Sequence, residues 1–509
     1  MARSTFDNFK SLTVLCLSVL LAGNSVYAAP PGGYSYNGSC STLSTIFPKR
    51  VSLPGSSNYA LQNAEYWDEA AVLSPACISV PSSAADAVLN LALLVKNNQS
   101  FAMRSGGHTP IPGAAGTNGG VLLAGDNLTD ISLTNLDGVP VAKVGSGLRW
   151  IEVYSWLADR NLTTIGGRYA TVGVTGSSTG GGISYYRSIH GWIADNIVGF
   201  EVVTASGEIL LVTANQYPDL YWALKGGSGN FAYFVHFYLK TWPSVPIYGG
   251  NVVTDASSVD ALVDACASFA DQKEGGMLDP LAAVNPTIQY TLDSRQFSGF
   301  TNVFYNASVS EAPASVKNFT TIPALGNSSV TGPRTFVSFV NETAIFGNDF
   351  RRLFRATSVK STPEAVRLIQ SVFDDQATQL KNIVNGSVTV TYQYMSEAFV
   401  QAAHVSGDAI DLQPADGPLI AILLASAWQT PGDDAYLLSF MTSLVEAMDA
   451  ASKAADLYYP FIFLNDAGIG QQPFPFYGAG KSLPKMKQIA KKYDPLGVFQ
   501  TLAAGAFKL

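Results

Sequence analysis

Glycines recur in tight groups through the first half of the chain: 106-GG-107 inside 104-RSGGH-108, then 145-GSG-147, 173-GVTGSSTGGG-182 and 226-GGSG-229. A residue without Cβ reaches positive φ freely and lets two backbones, or a backbone and a ligand, approach closely. These points must be loops, and the elements between them must be short. Between Val72 and about Phe237 such elements alternate: strand-like 78-ISVP, helical 84-AADAVLNLALLVKNN-98, strand-like 100-SFAMRS, then 120-GVLLAG, 141-VAKVGSG and the helical 150-WIEVYSWLADRN. Val88, Leu91, Leu94 and Val95 share one helical face. A strand–helix–strand order of this kind implies an α/β layer structure here.

The spacing rules out two nucleotide motifs. No G-x-G-x-x-G opens a helix directly after a strand, as a Rossmann unit requires, and no G-x-x-x-x-G-K-[ST] loop is present. Successive N–H groups in glycine loops do form concave nests suited to phosphates. A large ligand with a pyrophosphate could be threaded between them, whereas turns and bulges also collect glycine. The clusters alone leave both readings open. His108, one of four histidines, is on the same evidence either a turn residue or a point of attachment.

From about Tyr248 to Tyr458 the pattern changes. Helical 258-SVDALVDACASFA, 362-TPEAVRLIQSVFDDQATQLKNIV-384 and 435-AYLLSFMTSLVEAMDAASKAA mix with strand-like 300-FTNVFYNASV, 387-SVTVTYQY and 418-PLIAILLASAW. This predicts an α+β second domain lying as a lid over a ligand held by the first. A chain of 509 residues exceeds one ordinary core. With 47% hydrophobic and 13% charged residues, a net charge of −8 and no Lys/Arg-rich run, it reads as globular and excludes a nucleic-acid partner. No histidine, cysteine or carboxylate spacing suits a metal.

The N-terminus reads as a secretory signal, residues 1–28. Arg3 and Lys10 precede the apolar 11-SLTVLCLSVLLAG-23 and the small-residue exit Val26-Tyr27-Ala28. The apolar run falls short of the ~20 residues of a membrane span, so no stable membrane association is expected. Asn-x-Ser/Thr acceptors at Asn37, Asn98, Asn127, Asn161, Asn306, Asn318, Asn327, Asn341 and Asn385 agree with export and with N-glycans at some of them. Cys40 and Cys77 could close a disulfide in an oxidising compartment, while Cys266, on an apolar helical stretch, reads as a buried free thiol.

Taken in order, 104-RSGGH-108, 171-TVGVTGSSTGGG-182, 195-DNIVGFEVVTASGEIL-210, 218-PDLYWALKGGSGNFAYFVHFYLK-240, Asn465 and 493-YDPLGVF-499 resemble the flavin-linked oxidoreductases of the vanillyl-alcohol-oxidase superfamily, in particular the berberine-bridge-enzyme-like group. The resemblance runs from about Ala64 to the C-terminus and is faint between Tyr248 and Tyr458. It implies an α+β fold: a two-part PCMH-type FAD-binding domain (29–245 and the returning 457–509) and an α+β substrate domain with an antiparallel sheet (246–456). It also implies FAD joined covalently through His108. Arg104, Ser105, Gly106, Gly107, Thr171, Val172, Gly173, Gly180, Gly181, Gly182, Asn196, Ile197, Val198 and Asn465 would then surround the cofactor.

Three departures shape the expected chemistry. Tyr169 stands where many members carry a second flavin-linking cysteine, so one covalent bond is expected. Val172 matches the small residue that the group associates with oxygen access, which favours O2 as acceptor and hydrogen peroxide as product. Asp466 replaces a tyrosine after Asn465, either as the base or as a cap beside the flavin, and Ile183 replaces another tyrosine after the triple glycine. Tyr185 and Tyr394 complete the candidate catalytic set, with Tyr186, Tyr392 and Gln393 as further pocket residues. Loss of both tyrosines points away from oligosaccharides, toward a hydrophobic natural-product substrate of a secreted oxidase. An oxidative cyclase, a carbohydrate or alcohol oxidase, and a non-enzymatic ligand-binding glycoprotein are the alternatives. His190 lies beside the cofactor-lining segment, His236 reads as a satisfied core histidine, and His404 has no evident partner.

Overall fold

The computed structural model describes residues 38–344 and 349–509; the expected signal peptide at 1–28 and the acceptor Asn37 lie outside them. Three sheets carry the fold. The first, in the order Val51–Ser52, Cys77–Ser79, Val121–Ala124, Phe101–Arg104, is parallel except at its first pair. The expected strand–helix–strand unit is here, with the helix Ala84–Lys96 capped by Ser83, whose side chain accepts from the Asp86 N–H. Its two strands are not neighbours, because Val121–Ala124 lies between them. The loop after Phe101–Arg104 carries R-S-G-G-H to the edge of this sheet.

The second sheet corrects the α/β expectation for this region. Its strands Ile131–Leu136, Val139–Gly145, Tyr233–Pro243, Ile197–Val203 and Ile209–Thr213 pair antiparallel, and Leu162–Thr164 adds to Tyr233–Pro243. Short turns join Ile131–Leu136 to Val139–Gly145 and Ile197–Val203 to Ile209–Thr213 directly, and antiparallel pairing needs no crossover helix there.

The third sheet runs Thr331–Arg334, Ile247–Thr254, Gln296–Tyr305, Ala282–Thr291, Ser387–Met395, Leu419–Trp428, Arg351–Lys360, all antiparallel. Helices Val259–Phe269, Pro363–Ala377 and Asp434–Ala454 cover one face of it. Pro363–Ala377 starts on a Thr362 cap with proline in its first turn and buries Ala365, Val366, Ile369, Gln370 and Phe373 at helical spacing. Val388, Val390, Tyr392 and Tyr394 share that apolar layer. The other face is left for a ligand.

From Asp456 on the chain returns to the first two sheets: Ala503 bridges Phe101 in parallel, and Asn230 donates to the Phe507 carbonyl. Cys40 and Cys77 are disulfide-bonded, and Cys266 is free and buried. Among the described residues no helix is long and apolar enough to cross a membrane. Asn98, Asn127, Asn161, Asn318, Asn327, Asn341 and Asn385 are exposed, and Asn306 is half-buried.

Candidate active site

A cavity of about 860 Å³ runs between the glycine loops and the open face of the third sheet. Its wall takes in Arg104, Ser105, Gly106, Gly107, His108, Val172, Gly173, Gly182, Asn465 and Asp466. Loops from distant parts of the sequence meet here with almost no room between them. A Cβ built on Gly106 would lie 2.5 Å from the Gly173 nitrogen, and one on Gly107, at φ +62°, would lie 2.3 Å from the Glu65 carbonyl oxygen. Glycine is required at both points because the obstruction is backbone, which cannot move aside. Arg149 Nη1 ties the two loops together, donating to the Gly106 carbonyl at 2.9 Å and the Thr171 carbonyl at 2.6 Å.

His108 presents one side of its ring to the cavity and stacks by the other on Trp67, centroids 4.4 Å apart and planes 12° from parallel. Thr171 Oγ1 lies 3.4 Å from its Nε2. Enclosure, with the nearby charges of Arg149 and Arg352, pulls its pKa down to about 3. The imidazole is therefore neutral at ordinary pH, the form in which a ring nitrogen keeps a nucleophilic lone pair.

Asp466 lines the same cavity, 7% exposed, and burial raises its pKa to about 6 although Gln393 and Arg168 oppose the shift. Gln393 Nε2 donates to Asp466 Oδ2, and Asn465 Nδ2 donates to the Ser177 carbonyl at 2.9 Å. The Asp466 side chain is thus engaged with the third sheet through Gln393, the contact that favours the base reading over the cap.

Several expected residues stand behind the wall. Gly180 has no Cβ because Asn465 Oδ1 would lie 2.0 Å from it, and Gly181, at φ +97°, is pressed by Ile410. Asn196 Nδ2 donates to the His190 and Trp192 carbonyls at 2.9 and 2.8 Å, and Ile197 and Val198 open the next strand. Those five positions, together with Thr171, whose reach is to His108, support the wall without lining it. Arg104 lines it but is held by structure: Nη1 donates to the Gln62 carbonyl and Nη2 pairs with Asp126 at 3.0 Å.

Tyr394 and Tyr185 leave the catalytic set. Tyr394 points into the helical layer and donates to the Cys266 carbonyl at 2.9 Å, and Tyr392 likewise donates to Gln370 Oε1 at 2.9 Å. Tyr185 packs on Phe304 and Phe339 at 5.3 and 4.8 Å, with Tyr186 on Phe304 and Phe336. Side chains alternate across a strand, so when Tyr392 and Tyr394 face the helices, Ser387, Thr389, Thr391 and Gln393 face the cavity. The neighbouring strand contributes Asn285, Thr287, Gln289 and Thr291 in matching register, with Thr287 and Thr391 hydroxyls 2.7 Å apart. These side chains make one polar stretch of a wall that also includes Trp67, Ile111, Ile183, Phe300, Phe354 and Leu423. The polar stretch was missed because sequence analysis followed the tyrosines; the period-two run of Thr, Ser and Gln was the available signal.

Trp67, Arg168, Arg352 and Phe354 also line the cavity and carry no motif. Tyr169 lines it too, its oxygen accepting from Asn285 Nδ2 at 3.3 Å. The remaining histidines are accounted for: His236 bonds Glu201 and Asp130 at 2.9 and 2.8 Å, His190 packs on Trp242, and His404 lies 3.5 Å from Asp411, a partner not evident in sequence.

Known proteins share this plan. Residues 75–213 match a family model described as an FAD binding domain. A FAD-dependent monooxygenase of Penicillium roqueforti is 38% identical over 99% of both chains. The bifunctional solanapyrone synthase of Alternaria solani is 30% identical, covering 86% of this chain and 82% of that protein. A solved glucooligosaccharide oxidase from Acremonium strictum, whose description names a 6-S-cysteinyl, 8α-N1-histidyl FAD, superposes with a TM-score of 0.72 at 18% identity, covering 92% of this chain and 99% of that one.

Proposed function

The chain belongs to the FAD-linked oxidoreductases of the berberine-bridge-enzyme-like group, and we propose that it is an exported oxidase of a small, oxygen-rich natural-product substrate, with FAD attached at His108 and Asp466 as the base. One observation carries the reading: a neutral, cavity-facing histidine and a carboxylate tuned to about 6 share one cavity. The residues present fit FAD. The N–H groups of Ser105, Gly106 and Gly107 donate to no protein acceptor among the described residues, as a nest awaiting a phosphate requires. When bound, FAD supplies the two-electron acceptor that takes a hydride equivalent from the substrate and passes electrons to oxygen.

The protein's own part is orientation and proton transfer. Above about pH 6 the Asp466 carboxylate accepts the proton of a substrate hydroxyl. The Thr, Ser and amide side chains hydrogen-bond the remaining oxygens of the substrate, and Val172, which lines the same cavity, is the small residue expected to admit oxygen. With Tyr169 in the place of the second linking residue, His108 makes the single covalent bond, in keeping with the histidyl linkage in the description of the Acremonium enzyme. The signal-like N-terminus and the exposed acceptor asparagines support export and glycosylation.

Two other readings rest on relatives. The Penicillium protein's name makes oxygen insertion the second reading, and the Alternaria synthase keeps an oxidative cyclisation in view. Acid precipitation of the holoenzyme tests the cofactor assignment: flavin absorbance stays with the washed pellet, and His108→Ala releases it to the supernatant. Yellow supernatant over colourless wild-type pellet refutes the linkage, and absence of flavin from both fractions favours the binding-protein alternative. Photoreduction of the flavin under argon followed by admission of oxygen tests the acceptor, with one hydrogen peroxide per flavin expected.

A further inference from the structure

Two carboxamides in the cavity wall have their orientation decided by a third residue. Arg168, 9% exposed, donates through Nη1 to Asn285 Oδ1 and through Nη2 to Gln393 Oε1. A guanidinium carries donors only, so both amides must turn their oxygens to it. The opposite orientation would set N–H against N–H. Which way an amide points is often a matter of assignment; a donor-only partner removes that freedom.

The amide nitrogens consequently face away from Arg168. Gln393 Nε2 donates to Asp466 Oδ2, and Asn285 Nδ2 donates to the Tyr169 oxygen at 3.3 Å. An acceptor already supplied with one proton at its oxygen directs its own proton elsewhere, and Tyr169 lines the cavity. One buried cation thus fixes the polarity of two arms.

We propose that Arg168 is the positioning residue of this site: through Gln393 it holds Asp466 as a hydrogen-bond acceptor, and through Asn285 it leaves the Tyr169 hydroxyl as a donor to the ligand. The inference rests on the reading of Asp466 as the base. It also narrows the substrate. A molecule meeting this pair bears a hydroxyl that surrenders its proton to Asp466 beside a second oxygen that accepts from Tyr169, as in a hydroxy-carbonyl or vicinal diol unit.

The groups facing Asp466 are few. Arg168 and Tyr169 approach from the loop before the helix Val174–Thr179, and Gln393 from the third sheet. Arg187 is close enough to Arg168 that burial, together with that charge, lowers the Arg187 pKa. The positive charge opposes the upward push of burial on the Asp466 pKa, so its removal has a definite direction.

Infrared difference titration of the holoenzyme, which needs no substrate, reads the Asp466 carboxyl directly, with Asp466→Asn identifying its band. In wild type the band is expected to titrate near pH 6. Arg168→Gln, which removes the charge and can present either end of an amide, raises the midpoint by about 1–3 pH units. Arg168→Lys, still a donor-only cation, returns most of the shift. Gln393→Leu breaks the arm with Arg168 intact and raises the midpoint as well, which keeps the test open if the Arg168→Gln protein does not fold. Retention of bound flavin by each variant serves as the check on folding. A titrating band that Asp466→Asn does not remove overturns the base assignment and this inference with it. A band that Asp466→Asn removes, but that Arg168→Gln and Gln393→Leu leave unmoved, overturns the role of Arg168 alone.

Discussion

Replacing Asp466 by asparagine should make the protein more stable and far less active, and the gain should depend on pH. Burial raises the folded-state pKa to about 6 from the ordinary carboxylate value of 3.8. The folded protein therefore binds this proton more tightly than the unfolded chain does. The group's contribution to stability is fully present below the unfolded value and is lost as pH rises through 6. A shift of about 2 pH units at ~1.4 kcal/mol each makes the ionised side chain a burden of about 3 kcal/mol above pH 7. Asparagine keeps an oxygen for Gln393 Nε2 and carries no charge. Thermal melts of wild type and Asp466→Asn should coincide near pH 4 and separate at pH 8, with the variant melting higher by a few degrees. Loss of the base should lower turnover by ~10²–10⁴-fold at the same pH. A variant that melts below wild type at pH 8, or that is displaced equally at both pH values, would refute burial as the origin of the raised pKa.

Other consequences of the geometry are open to simple checks. Gly173→Ala would put a methyl 2.5 Å from the Gly106 nitrogen and 2.7 Å from its Cα; forcing the loops apart costs ~1–3 kcal/mol and should lower flavin content in the purified protein, measured by absorbance ratio. Serine at both Cys40 and Cys77 opens a link across 37 positions and should reduce unfolding free energy by about 4 kcal/mol in denaturant titrations. Val172→Leu should slow reoxidation of photoreduced enzyme in stopped flow while flavin content stays unchanged; unaltered reoxidation would remove Val172 from the oxygen path.

The features legible in the primary structure are those whose cause is local. R-S-G-G-H announces itself because only glycine tolerates backbone at 2.3–2.5 Å from a would-be Cβ, and the triple glycine because Gly181 and Gly182 sit at φ +97° and +77°. Helices such as Pro363–Ala377 carry their own cap and apolar face. Strand parity was beyond reach: 392-YQY-394 offers two tyrosines to one glutamine, and only the helices packed on one side of the sheet decide that Gln393 meets the cavity and the tyrosines do not. The meaning of Asp466 depended on the same assembly, since a carboxylate is an ordinary acid until burial removes its water. Arg168, Asn285 and Gln393 lie 117 and 225 positions apart along the chain, and no pattern links them. Local sterics are written residue by residue; desolvation and hydrogen-bond polarity arise only when remote segments close around the same space.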